Sequence, residues 1–494
     1  MKGDTQQYEY FDVLIIGAGL SGIGAAVHLQ NDSPLKSYAI LEGRDAIGGT
    51  WDLFRYPGIR SDSDMYTLGY NFKPWTRPKG IAEGKDIREY ICETAKEHNI
   101  DKNIRFGHKV LTSSWSTEAA RWTLEIQLNA TGEIRYYECN FFLCCTGYYN
   151  YDQGYQPEFK GSENFNGDII HPQKWDENYD YSGKKVVIIG SGATAVTLVP
   201  AMTDKAQHVT MLQRSPSYIM AIPQKDLMVN ALRKILPEIW VYRITRTRNI
   251  TLASVMYNYC QTFPNSARRW IQKLVKKEVG DGFNMKHFTP KYAPWDERLC
   301  AVPDGNIFEV LRAGKASIVT DNIDHFTENG ITLTSGETLE ADVIITATGL
   351  DVQLFGKMKL IVDGKEFDAH EKMVYRGVLL EDLPNAGMVF GYTNASWTLK
   401  ADLISEWMCR LLNHMDATGK QIVIPRNFDR SVEHRPFVDM QSGYVQRGLE
   451  RAPQQGSKLP WKLFQNYVLD LVTLRFGKMN DKTLIFSNSK DLML

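Results

Sequence analysis

The stretch FDVLIIGAGLSGIGAAVHL, Phe11 to Leu29, decides the fold class. An apolar, β-branched run ends abruptly at Gly17, and beyond Gly22 the apolar residues take helical spacing, so strand, tight turn and helix follow one another. Gly17, Gly19 and Gly22 stand in the places of the G-x-G-x-x-G dinucleotide fingerprint. Glycine at 17 permits the turn, glycine at 19 leaves room for a pyrophosphate, and glycine at 22 lets helix and strand approach closely, while the helix amides face the phosphate. The bare pattern arises by chance roughly 0.2 times in a chain this rich in glycine, so the flanking strand and helix carry the weight. The next apolar run, YAILEG, ends in Glu42, a carboxylate suited to accept hydrogen bonds from ribose hydroxyls and to repel a 2′-phosphate.

Working outward, the pattern returns in GKKVVIIGSGATAVTLVPAM, with Gly190, Gly192 and Ala195 in the fingerprint places. Its second strand, HVTMLQRS, ends in Arg214 and Ser215 in place of an acid. A guanidinium and a hydroxyl suit the 2′-phosphate that NADP carries and FAD lacks, so the pair of sites reads as FAD at the first turn and NADPH at the second. Two further apolar strands, NFFLCCTG and ADVIITATG, mark where the chain crosses between the nucleotide units. The expected architecture is α/β, with two Rossmann-like dinucleotide-binding domains, the NADPH domain inserted into the FAD domain. Residues 1–150 and 350–494 make the FAD-binding domain and residues 151–349 the NADPH-binding domain, in which residues about 225–297, rich in aromatic and basic side chains, form a helical insertion.

With 57 Lys and Arg against 58 Asp and Glu in 494 residues, the chain has no global pull towards nucleic acid, which is not expected as a partner. No apolar run reaches membrane-spanning length and the first residues lack a signal-peptide pattern, so a cytoplasmic location without a transmembrane segment is expected. The basic, aromatic insertion raises peripheral membrane contact, but packing within the fold is the expected use of such helices. The seven cysteines are scattered without C-x-x-C pairs, so they read as reduced core residues and no metal site is expected. After GMVFGY and TNASW, a helix carries Leu399, Leu403, Trp407, Leu411 and Met415 on one core-packing stripe. Its positive amino-terminal end is a candidate to face the flavin ring.

A flavin disulfide reductase would place a cysteine pair soon after the first acid-terminated strand, yet GGTWDLFRYPGIRSD contains none. That stretch instead meets the pattern glycine-x-Trp, four residues, Tyr-Pro-Gly, three residues, Asp, through Gly49, Trp51, Tyr56, Pro57, Gly58 and Asp62. Farther on, FNGDIIHPQKWD meets F-x-G-x-x-x-H-x-x-x-W with Phe165, Gly167, His171 and Trp175, a match expected by chance on the order of 10⁻³ times. On these motifs and the two glycine turns, the sequence resembles the type I Baeyer-Villiger monooxygenases along most of its length.

The resemblance implies that NADPH reduces FAD, that the reduced flavin takes up O₂ as a C4a-peroxyflavin, and that a ketone becomes an ester or lactone. Oxidation of sulfides or thioamides is a possible companion activity, and an N- or S-oxygenating flavin monooxygenase is the nearest rival reading. A non-enzymatic flavin and NADP redox sensor would need neither Arg298 nor Asp62. By its place in PWDERLCAVPDG, Arg298 resembles the family's catalytic arginine, with a surface arginine as the alternative; it counts among the cofactor-binding residues too. Asp62 resembles the carboxylate beside it, which orients and tunes the guanidinium. His171 resembles a joint between the nucleotide domains and is not assigned as a base, while Phe165 and Trp175 read as anchors of that joint. Trp51 lines the flavin cavity on this reading. The residue before Arg298 is Glu297, where several family members carry a lysine that holds the 2′-phosphate, so NADPH preference is expected to rest on Arg214 and Ser215.

Overall fold

A computed structural model describes residues 8–492. Strand β1 (Tyr8–Ile16) ends in four buried apolar residues and pairs in parallel with β2 (Tyr38–Leu41) on one side and β3 (Ile134–Cys144) on the other. Helix α1 (Leu20–Asp32) makes the crossover from β1 to β2. Central strands covered on both faces need continuous apolar runs, which is what VLII and FFLC provide. Among the described residues this sheet has eleven strands, continuing beyond β3 through the antiparallel strands 121–128 and 108–116. Strands 359–362 and 386–388 join it from the far end of the sequence.

Between these two pieces of chain lies a second, all-parallel sheet. It contains β4 (Lys185–Ile189), β5 (His208–Gln213) and β6 (Val343–Thr346), with α2 (Ala193–Met202) following β4. Among the described residues it has five strands, in the order 316–320, β5, β4, β6, 168–170. The architecture is therefore one Rossmann-like unit nested in another, as expected. The edge strand Asp168–Ile170 comes from the FNGDIIHPQKWD stretch itself.

The helical insertion contains α3 (Leu227–Leu232), α4 (Glu238–Thr262) and α5 (Pro264–Val279). Its packing is divided. On α5, Ile271, Val275 and Val279 recur at four-residue spacing and join the core of the second sheet's unit. On α4, the buried guanidinium of Arg246 donates to the carbonyls of Tyr66, Thr67 and Gly69, and the Tyr242 hydroxyl donates to the carbonyl of Tyr70. A buried cation is tolerated only when its donors are met, and Arg246 also faces the Asp402 carboxylate at 3.4 Å. The insertion thus bridges both nucleotide units.

Helix α6 (Trp397–Thr418) buries Leu399, Leu403, Trp407, Leu411 and Met415 and packs on α1. Burial of each such side chain contributes about 1.5–3 kcal/mol, enough to hold the amino-terminal end of this helix in a fixed place. The short helix α7 (Gly443–Leu449) lies against the crossover segment, where the Cβ-less Gly448 faces Val352.

Candidate active site

The two glycine turns are built alike. Gly17 has φ +105° and an added Cβ would lie 2.7 Å from the Cys145 carbonyl oxygen; Gly190 has φ +138° and an added Cβ would collide with the Ala347 carbonyl. Each turn therefore abuts the end of a crossover strand and admits only glycine. Gly19 and Gly192 stand at the amino-terminal ends of α1 and α2, and neither helix has a side-chain cap. A Cβ on Gly192 would meet no atom within 4 Å. Bare glycine backbone and uncapped helix amides on a cavity wall fit the pyrophosphates of FAD and NADP.

One cavity of about 1070 Å³ connects the turns, reaching from Gly19, Gly49 and Trp51 to Gly190, Gly192, Arg214 and Ser215. Gly17, Gly22 and Ala195 lie behind its wall as packing positions; Ala195 is fully buried. Glu42 lies behind it as well. Its carboxylate accepts the Ala18 amide at 2.7 Å and the Arg44 amide at 2.8 Å, and burial raises its pKa. The acid expected to face a ribose also braces the turn through these two amides.

Arg298 and Asp62 meet on the cavity wall, with Nε 3.7 Å from Oδ2. Burial alone would lower the pKa of Arg298, but the charge of Asp62, with Tyr148, Tyr444 and Tyr149 around it, raises it above the usual arginine value. The guanidinium is therefore a permanent cation. Its loop is rigidly set: Trp295 sits at φ +76°, packs edge-on against Tyr257 of α4 at 5.8 Å, and the next residue's carbonyl accepts the Gln441 amide. Such a backbone conformation persists only where surrounding contacts determine it.

At Arg298 the cavity meets a smaller chamber of about 40 Å³, walled by Phe390, Phe437, Met440, Val445 and Leu449. Tyr148 stands between them, stacked on Trp397 with ring centres 5.1 Å apart and hydrogen-bonded through its hydroxyl to that of Tyr149 at 2.6 Å. The amino-terminal end of α6 reaches the wall through Ala395 and Trp397, and the Ser396 side chain does not cap its amides.

The fingerprint stretch lies apart from this wall. His171 Nδ1 accepts the Gln173 amide at 3.2 Å, Nε2 lies 3.3 Å from the Gly349 carbonyl, and burial lowers its pKa. The ring is therefore neutral at pH 7, donating from Nε2, with both nitrogens engaged. Gln173 donates to the Asn150 carbonyl at 2.8 Å and Thr348 to the Tyr155 carbonyl at 2.7 Å, so the segment ties together the two crossovers. Phe165 packs edge-on to Phe326, Trp175 is buried against Tyr179 and Tyr181, and a Cβ on Gly167 would collide with the Asp342 carbonyl.

Residues 77–415 match the family model described as flavin-binding monooxygenase-like, and residues 15–74 match an NAD(P)-binding Rossmann-like domain. The chain belongs to the flavin-binding monooxygenase-like family. It is 52% identical to the FAD-containing monooxygenase EthA of Mycobacterium tuberculosis, over 97% of this chain and 98% of that protein. It is 48% identical to the probable FAD-binding monooxygenase AlmA of Acinetobacter baylyi, over 98% and 97%. The fold is shared with a steroid monooxygenase solved with NADP, at TM-score 0.75 and 18% identity over 97% of this chain and 100% of the other. A cyclohexanone monooxygenase solved with ε-caprolactone shares it too, at TM-score 0.74 and 19% identity over the same shares. The protein is accordingly a flavin-binding monooxygenase, an oxidoreductase similar to EthA that carries an NAD(P)-binding Rossmann-like domain.

In this flavin-binding monooxygenase-like chain several site residues escape sequence reasoning. Tyr148 and Tyr149 follow directly on the crossover glycine, and that GYY run was their only signal. Tyr444 and Arg447 reach the cavity from α7, with Arg447 stacked 3.5 Å above the Tyr155 ring. Glu297 lines the same cavity as Arg214; burial raises its pKa and the charge of Arg214 opposes that rise. The acid therefore shares a cavity wall with the cation expected to hold the 2′-phosphate, without an ion pair between them.

Proposed function

We propose that this monooxygenase converts uncharged ketones into esters or lactones, the Baeyer-Villiger reaction, with NADPH as reductant and O₂ as the source of the inserted atom. The observation that supports this most directly is the Arg298 guanidinium, 3.7 Å from Asp62, where the large cavity meets the apolar chamber. On this reading residues 1–150 and 350–494 carry FAD and residues 151–349 carry NADPH. Gly19, Gly49 and Trp51 hold the first cofactor against α1, backed by Gly17, Gly22 and Glu42. Gly190, Gly192, Arg214 and Ser215 hold the second against α2, backed by Ala195. Bound FAD, once reduced by NADPH, supplies the activation of O₂.

The chain's own residues then set the conditions for oxygen insertion. A cation that cannot lose its proton, on a cavity wall beside an apolar chamber, stabilises negative charge developing beside a carbonyl carbon. Arg298 fills that role and, lining the cavity that joins both proposed cofactor sites, would help to hold the nucleotides too. Asp62 fixes the direction of its fork and offsets part of its charge. The aromatic and aliphatic walls of the chamber keep water out and favour a substrate without charge. His171, with both ring nitrogens engaged, transfers no proton; with Phe165, Gly167 and Trp175 it couples the crossovers on which the cofactor units move.

Oxygenation of sulfur in an uncharged sulfide or thioamide is the second reading. The chamber favours it equally, because its apolar lining accepts a thioether as readily as a ketone. Linear, cyclic and aryl ketones and matched thioethers, supplied with NADPH and air and analysed by mass spectrometry, separate the readings. Ester or lactone from the ketones supports the first; sulfoxide alone replaces it with the second. Flavin reduction without any oxygenated product would contradict both.

A further inference from the structure

We infer that the exposed side of the helical insertion is a docking surface for an anionic phospholipid bilayer. Helix α4 is 25 residues long, and Trp240, Ile244, Thr247, Thr251 and Val255 follow one another along a single exposed face. Trp240 is 53%, Ile244 42% and Val255 60% exposed. Helix α3 extends this face: Arg248 of α4 pairs with Asp226 and touches the sulfur of Met228, beside which Leu227 is 81% exposed. An apolar strip of this kind in a water-facing position calls for a partner.

Charge identifies the partner. Residues 225–279 hold eleven Lys and Arg against three Asp and Glu, a net of +8, in a chain whose total is −1. Within the described residues Lys225, Lys234, Arg243, Arg269, Lys273 and Lys277 are exposed and make no ion pair. Each such cation near an anionic surface raises binding on the order of fivefold. A second copy of this chain would bring the same cations face to face, which disfavours self-association through this side. The helix lies on the bilayer and does not cross it: Glu238, Arg243, Arg246 and Arg248 interrupt α4, and among the described residues no helix is long and apolar enough to span a membrane. The surface adjoins the candidate active site, because Tyr257 of α4 packs on Trp295 in the Arg298 loop. Apolar substrates dissolved in the bilayer would thus enter beside the chamber. The inference stands whichever substrate the chamber takes.

The test is co-sedimentation of the flavin-loaded protein with vesicles of phosphatidylcholine alone and of phosphatidylcholine mixed with phosphatidylglycerol, at low and high salt. Binding is expected to the mixed vesicles only, weakened by salt. Ile244→Glu combined with Val255→Glu should reduce it at least tenfold, and Lys234→Glu combined with Arg243→Glu by a similar factor. Flavin content and NADPH oxidation with a water-soluble substrate should stay unchanged, since these side chains face away from the cavity. Failure to bind mixed vesicles, equal binding to both kinds, or binding indifferent to the Glu substitutions would overturn the inference. So would a protein dimer that the same substitutions abolish without any vesicle binding.

Discussion

The two dinucleotide turns share a backbone and differ in what stands beside it. At the first, Glu42 is buried and bound to the amides of Ala18 and Arg44, and His28, paired within α1 to Asp32 at 3.4 Å, pins that helix to Asp402 at 3.5 Å. At the second, Arg214 and Ser215 are exposed on the cavity wall, and α2 carries no charged side chain. One turn is built into the core and the other is left open. That contrast fits a resident flavin and a nicotinamide cofactor that comes and goes.

The largest expected effect separates a strained packing glycine, a kind both turns have in Gly17 and Gly190, from the open cavity-wall glycine of the second turn. Gly17→Val should give no folded yellow protein, because the residue needs positive φ and has no space for a side chain. Gly192→Val should fold and stay yellow while raising KM for NADPH more than about tenfold, since its Cβ enters open cavity. Flavin absorbance per polypeptide and steady-state kinetics check the pair; equal loss of flavin from both would erase the contrast. Next in size, Arg214→Gln should raise KM for NADPH by about tenfold to a hundredfold and leave KM for NADH unchanged. A parallel rise for NADH would remove the 2′-phosphate from the account.

Two smaller effects sharpen it. Glu297→Gln should lower KM for NADPH a fewfold, because a carboxylate on the same cavity wall repels the phosphate. At the first turn the linkage is to pH. Burial opposes charge on His28, but Asp32 and Asp402 lift its pKa from 6.5 to about 9. The stability this contributes is full below pH 6.5 and is lost as pH rises through about 9. A Tm measured across that window should fall more steeply in the parent protein than in His28→Asn; identical profiles would dismiss the pin.

What was legible in the sequence follows from the range of the forces involved. The glycine turns could be read because a positive φ and a close backbone approach tolerate almost no other residue. Arg298 and Asp62 were found through motifs, although only the fold brings them together. The direction of Glu42 was not legible: spacing places a carboxylate at a strand end but does not say whether it faces inward or outward. The bridging of the insertion was not legible either, since Arg246 answers carbonyls at residues 66, 67 and 69, and carbonyl positions carry no side-chain signal. The expectation that the insertion packs within the fold holds for Tyr242 and fails for Trp240 and Ile244, which the helix turns outward.

The central claim is that the fixed charge of Arg298 enables insertion of an oxygen atom into a substrate held beside it. It is tested most directly with ¹⁸O₂ and NADPH, comparing the parent protein with Arg298→Ala after both are shown to be yellow. The parent should return ester carrying one ¹⁸O atom per molecule, and the variant should lose product by about 10²- to 10³-fold. Labelled ester formed at an undiminished rate by Arg298→Ala would contradict the account.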